Sequence, residues 1–120
     1  MKFLDFFTTL GYSEKDAQIW KTLYRLGTQS ASVVARESGL ERTYTYKTLS
    51  RLVADGLVSE TEKNGVAYFF ISSPDILRQM VKKRREKYSK LEDDYSLVEL
   101  ELSSLSERNQ SILPKIQIYE

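Results

Sequence analysis

The sequence predicts a mainly α chain with a small β-hairpin, followed by a long C-terminal helix of coiled-coil character. Three observations carry this. Apolar residues recur at helical spacing in short runs closed by Gly11, Gly27, Gly39 and Gly56. An Asn64-Gly65 pair separates two runs of strand length. From Leu77 to Ile112 an apolar or aromatic residue returns every three or four positions, with few breaks.

The elements follow in order. Residues 2–10 predict a short helix with Phe3, Phe6, Phe7 and Leu10 available for packing, and Gly11 ends it. Ser13 opens the second helix, and Asp16, three residues on, makes a looser form of the capping box. Ala17, Ile19, Trp20, Leu23 and Tyr24 give it an apolar face, and Gly27 closes it. A third helix fits 31–38, with Ser30 as N-cap, Val33 and Val34 facing inward and Gly39 as the stop. The fourth runs from about Glu41 to Asp55 and is closed by Gly56. Only Gly39-Leu40 separates it from the third. So short a link forces a sharp turn between the two, which is the helix-turn-helix arrangement.

Two strands are expected next, at 57–62 and 66–71, joined through Lys63-Asn64-Gly65. Asn and Gly both tolerate the positive φ that a two-residue hairpin demands. A helix-turn-helix followed at once by a hairpin is the winged-helix order. Ser73, Pro74 and Asp75 then open the last helix: a capping hydroxyl, a first-turn proline and an acid near the positive end of the helix dipole. The expected division is a winged-helix head at 1–72, a long helix at 73–110 and a tail at 111–120.

The long helix has a seven-residue rhythm. Leu77, Arg84, Leu91, Val98, Leu105 and Ile112 share one position; Val81, Tyr88, Tyr95, Leu102 and Asn109 lie four residues after each. Arg84 and Asn109 break an otherwise apolar seam. Such a helix is roughly 50 Å long, too long to fold back on so small a head. Its stripe calls for another helix, and self-pairing as a homodimer through Leu77, Val81, Tyr88, Leu91, Tyr95, Val98, Leu102 and Leu105 is the expectation. The bland alternative is packing against a different partner or another part of the same protein.

Charge is arranged along the chain. The formal net charge is +1. Residues 1–72 carry nine Lys/Arg against eight Asp/Glu, residues 73–90 seven against two, and residues 91–120 two against seven. Antiparallel pairing would lay the basic block against the acidic one. Parallel pairing would stack like on like but hold two heads together at one end. The run KKRREK (82–87) reads either as a phosphate contact or, slightly better, as a solvated face.

Composition excludes several functions. The chain of 120 residues has no cysteine and no histidine. That removes disulfides, thiolate nucleophiles, imidazole acid–base chemistry and most zinc sites. Asp93 and Asp94 diverge by about 100° on a helix and do not converge on an ion. No enzyme, cofactor or metal is expected. Asp5 interrupts the apolar N-terminus, no signal-cleavage pattern follows, and no apolar run approaches the roughly 20 residues of a membrane span. The expected location is the cytoplasm. Trp20 and the cluster Tyr68, Phe69, Phe70 read as core.

The fourth helix has two faces. At about 100° per residue, Thr45, Tyr46, Leu49, Leu52 and Val53 gather on one side as the core anchor. Tyr44, Lys47, Thr48 and Arg51 gather on the other, with Arg42 and Thr43 at the first turn. Cations suit phosphates and guanine edges, hydroxyls suit phosphates, and a threonine methyl suits thymine. The face therefore predicts double-stranded DNA as partner, through Arg42, Thr43, Tyr44, Lys47, Thr48 and Arg51, with Lys63 of the hairpin as a further contact. For the face alone, an ordinary solvated helix surface explains the residues equally well; the tight turn before it and the hairpin after it favour DNA. Neutralising Lys47 and Arg51 together is expected to abolish binding without changing thermal stability.

The runs LGYSEKDAQIW, LGTQSASVVARESGLERTYTYKTLSRLVADGLV and AYFFISSPDIL, with the long charged helix after them, resemble the N-terminal part of the TrmB-like transcriptional regulators. Ser13, Ala17, Ala35, Ser38, Gly39, Arg42, Thr43, Tyr46, Leu49, Leu52, Gly56 and Leu57 fall on that pattern. Glu41 stands where proline is usual, Asp16 for glutamate and Trp20 for tyrosine. The resemblance implies a winged-helix regulator. Members of that family continue into a sugar-binding effector domain, and LPKIQIYE (113–120) resembles its entry strand; the expectation is either part of a longer regulator or a short form without the sensor, and in both cases no small-molecule ligand within this chain. The rival reading is a winged-helix adaptor that contacts proteins and assembles through its coil.

Overall fold

The computed structural model describes residues 2–109. The expected lead-in strand within 111–120 and the seam position Ile112 lie outside the described residues. Five helices and three strands follow one another as α1 (Lys2–Thr9), α2 (Glu14–Leu26), β1 (Gln29–Ser30), α3 (Ala31–Ser38), α4 (Arg42–Ala54), β2 (Ser59–Lys63), β3 (Val66–Phe70) and α5 (Asp75–Asn109). The chain divides into two units, Met1–Met80 and Val81–Glu120.

Local chemistry sets the boundaries in the first unit. Ser13 accepts from Asp16 N at 3.1 Å while Asp16 Oδ2 accepts from Ser13 N at 3.0 Å, so the reciprocal capping box is complete. Ser30 accepts from Val33 N and starts α3. Gly39 ends α3 at φ +71°, a left-handed conformation costly for residues with a Cβ. There Leu40 N donates to Ala35 O at 3.0 Å and Gly39 N to Arg36 O at 3.3 Å. These bonds satisfy the last carbonyls of α3 and redirect the chain straight into α4. In the hairpin, Asn64 and Gly65 have φ of +54° and +77°, and Lys63 pairs with Val66 across them. Two consecutive positive φ values match the right-handed twist of the flanking strands.

The sheet is antiparallel with order β1-β3-β2. β1 had no sequence signal. It is two residues long and exists through its pairing with β3, Gln29 opposite Phe69 and Ser30 opposite Tyr68. Phe69 faces the core and is fully buried.

The core gathers Phe7, Ile19, Trp20, Leu23, Val34, Leu49, Leu52, Leu57 and Phe69. Burying each such side chain contributes about 1.5–3 kcal/mol. Two polar groups taken inside are hydrogen-bonded: Trp20 Nε1 donates to Leu57 O at 2.9 Å, and Ser38 Oγ donates to Val34 O at 2.7 Å. Tyr24, expected on the apolar face of α2, is exposed and stacks flat on Trp20 at 5.5 Å. At the start of α5, Ser73 Oγ accepts from Asp75 N at 3.2 Å. Ile76, Leu77 and Met80 pack against the core. Leu77, expected wholly in a self-pairing seam, is therefore partly committed to its own head.

In the second unit α5 is largely solvent-facing. Val81, Tyr88, Leu91, Tyr95, Val98, Leu102 and Leu105 are all exposed, as are Leu97 and Leu100 off the seam. Lys90 donates to Asp94 at 3.0 Å, one turn along the same helix.

Candidate nucleic-acid interface

Which residues α4 shows to solvent depends on the side it buries. Thr45, Thr48, Leu49 and Leu52 are buried, spaced i, i+3, i+4, i+7. Thr45 Oγ1 donates to Glu41 O at 2.8 Å, so its hydroxyl goes inward satisfied. This stripe is rotated roughly 50° from the one expected at 100° per residue, with two consequences. Thr48, expected to touch DNA, is only 4% exposed and belongs to the core side. Tyr46, expected in the core, is 47% exposed and sets its ring edge on Phe69, with centroids 6.0 Å apart.

The outward face that remains is centred on Lys47, with Thr43 one turn before it and Tyr44 and Arg51 on one flank. Arg42, Thr43, Tyr44, Lys47 and Arg51 are all solvent-accessible. Glu41 caps the helix and accepts from Thr43 N at 3.1 Å. Its charge thereby faces the positive end of its own helix dipole. Lys63 is exposed as the last residue of β2, beside the Asn64-Gly65 turn.

Arg51 has a second task that the sequence did not reveal. Its Nη2 lies 2.5 Å from Asp16 Oδ1, and Asp16 is almost wholly buried. One oxygen of Asp16 is hydrogen-bonded in the cap of α2; the other makes no hydrogen bond and is met only by the charge of Arg51 on α4. A buried carboxylate left without its cation is strongly unfavourable, so Arg51 is at once an exposed cation and a clamp. The contact argues against the expectation that neutralising Lys47 and Arg51 together leaves stability unchanged. Further ties hold α4 in place. Tyr12 Oη donates to Asp55 Oδ2 at 2.6 Å, and Gln18 Nε2 donates to Ser38 O at 2.7 Å just before the tight turn.

The structure also adds residues. Lys15 Nζ lies 5.5 Å from the centre of the Tyr44 ring, which carries the cationic surface from α4 onto the first turn of α2. Tyr46 fills the other flank, between α4 and the sheet. No local pattern marks Lys15, because its relation to Tyr44 exists only once α2 and α4 pack. Among the described residues no group of acidic side chains is placed to hold a metal ion. No helix among them is long and apolar enough to cross a membrane.

The family model described as sugar-specific transcriptional regulator TrmB matches residues 7–101. The chain belongs to the TrmB family. Its fold and family are those of transcriptional regulators, as the runs around Gly39 and Gly56 imply. A solved structure of TrmBL2, described as an archaeal chromatin protein with a novel mode of DNA binding, is similar with a TM-score of 0.76 at 14% identity. That likeness covers 91% of this TrmB-family chain and 42% of TrmBL2, so the chain spans less than half of that protein's length. YusO from Bacillus subtilis is similar with a TM-score of 0.54 at 12% identity, covering 88% of this chain and 82% of its own. A homodimeric winged helix-turn-helix DNA-binding domain from Mycobacterium bovis is similar with a TM-score of 0.51 at 20% identity, covering 77% and 84%. At these identities the likenesses show the fold, a winged helix-turn-helix. No curated protein matches the chain.

Proposed function

We propose that this TrmB-family chain binds a specific duplex DNA site as a homodimer and thereby controls transcription, with α4 as the recognition helix in the major groove. The observation that carries the reading is the face of α4. Arg42, Thr43, Tyr44 and Lys47 are all accessible at the N-terminal end of the second helix of a helix-turn-helix. In that arrangement the N-terminal residues of the second helix meet base edges. Arg42 and Lys47 supply cations for phosphates or guanine, and Thr43 and Tyr44 supply hydroxyls. Arg51 reaches the same groove from its clamped position, Lys15 follows the flanking backbone, and Lys63 contacts phosphate from the hairpin. The exposed seam of α5 joins two copies, which places two heads on one duplex.

Selection from a random duplex pool, followed by a salt titration of the winning site, tests this. The expected result is a defined sequence whose affinity falls steeply with salt, because each neutralised phosphate releases counterions. A protein with no duplex affinity even at low salt, but with a stoichiometric protein partner, would establish the adaptor reading instead.

A further inference from the structure

We infer that α5 pairs antiparallel with a second copy of itself in one register, with Val81 opposite the partner's Val98, Tyr88 opposite the partner's Leu91, and Arg84 opposite the partner's Tyr95. This rests on the proposed homodimer and specifies the contact that the homodimer leaves open.

The edges of the seam carry the charge that sets the pairing. Taking Val81, Tyr88, Tyr95 and Leu102 as the first apolar position of each heptad and Arg84, Leu91, Val98 and Leu105 as the second, the two flanking positions follow from the sequence. One edge reads Arg78, Arg85, Glu92, Glu99. The other reads Met80, Lys87, Asp94, Glu101. The charges on both edges are basic before Leu91 and acidic after it. The apolar residues between them face solvent: Val81, Tyr88, Leu91, Tyr95 and Val98 are exposed.

A parallel, in-register pair sets every seam residue against itself. Arg84 would meet the partner's Arg84 inside the apolar seam, two like charges withdrawn from water together. Asp94 would meet the partner's Glu99 at the rim. Reversing one helix removes both conflicts, because each edge then runs against its own copy in the opposite direction. Three antiparallel registers around the middle of the helix preserve the layering of seam residues. With Val81 opposite the partner's Leu91, Arg85 meets the partner's Arg85 and Lys87 meets the partner's Lys87. With Val81 opposite the partner's Leu105, Glu92 and Asp94 meet their own copies.

The register between these has no such conflict. Arg78 faces the partner's Glu99, Arg85 the partner's Glu92 and Lys87 the partner's Asp94, each pair occurring twice by symmetry. Arg84, the one charge in the seam, lies against the ring of the partner's Tyr95, where a guanidinium stacks favourably. Asp94 already takes Lys90 on its own helix, so its carboxylate joins two cations. Leu105 falls beyond the paired segment; the register forgoes that contact to keep like charges apart.

The native chain has no cysteine, so single substitutions report proximity cleanly. Light scattering first gives the mass. Val81→Cys and Val98→Cys are then oxidised separately and as a mixture after subunit exchange. The expected result is a dimer mass, no cross-link in either variant alone, and a disulfide between positions 81 and 98 in the mixture only. A Val81→Cys homodisulfide in a dimer overturns the antiparallel pairing and leaves the dimer intact. A dimer with no cross-link in any sample overturns the register. A monomer mass overturns the dimer itself, and this inference with it. Charge exchange gives an independent check: Arg85→Glu raises the dimer dissociation constant about tenfold, and adding Glu92→Arg restores it. In a parallel pair the second change sets an arginine against the partner's Lys87 and does not restore it.

Discussion

Replacing Arg51 with methionine keeps the length of the side chain and removes its cation. Asp16 stays in the interior with one oxygen still held by Ser13 N, and the other loses the guanidinium 2.5 Å away. Breaking a fully buried ion pair costs about 3–5 kcal/mol. Arg51 is 53% exposed, so water reaches the vacated position and screens part of that penalty. The expected loss is therefore about 2 kcal/mol, or on the order of 10 °C in melting temperature for a head of this size. Asp16→Asn alone keeps a carbonyl oxygen for the cap and removes the buried charge. In the double variant the two losses do not add, with a coupling of about 1 kcal/mol or more, because neither group is left facing an unpaired charge. The assay is urea and thermal unfolding by circular dichroism at one protomer concentration, since the proposed dimer would make the midpoint concentration-dependent. An Arg51→Met protein within about 0.5 kcal/mol of wild type, or strictly additive losses, would refute the clamp.

Lys47→Gln is expected to weaken duplex binding and lower the salt slope by about 1, with stability changed by less than about 0.5 kcal/mol; fluorescence anisotropy across a salt series reads both. Thr48→Ala should do the reverse, costing about 1 kcal/mol by denaturation while leaving DNA affinity within about twofold. Asn64→Ala forces a Cβ residue without a locally bonding side chain into positive φ and should cost about 1 kcal/mol, seen as earlier amide exchange in β2 and β3.

Much of the fold was legible because its punctuation is local. Ser13 with Asp16, Ser30, Gly39 and Asn64-Gly65 each act within a few residues of themselves, and each does in the structure what its chemistry requires. The winged-helix order follows from their sequence. What failed was the phase of α4. Weighting Tyr46 and Val53 as apolar pulled the buried stripe toward them. The actual stripe runs through Thr45 and Thr48, which share the side of the helix that Leu49 and Leu52 occupy. A helical wheel gives relative angles only, and the absolute direction is set by α2, α3 and the sheet. β1 was missed for the same reason: a two-residue strand has no period, only a neighbour. The clamp between Asp16 and Arg51 joins residues thirty-five positions apart in the sequence, beyond any spacing rule. Sequence alone thus recovered most of the outward face of α4, misplaced Thr48 and Tyr46, and overlooked Lys15.

The central claim is that duplex DNA docks on the outward face of α4. The most direct measurement is an amide and side-chain NMR titration of the protein with its selected duplex at low salt. The account predicts the largest perturbations at Arg42, Thr43, Tyr44 and Lys47, smaller ones at Lys15, Tyr46 and Lys63, and little at Thr48 beyond what its neighbours transmit. Saturable duplex binding that leaves Arg42 through Lys47 unperturbed would contradict it.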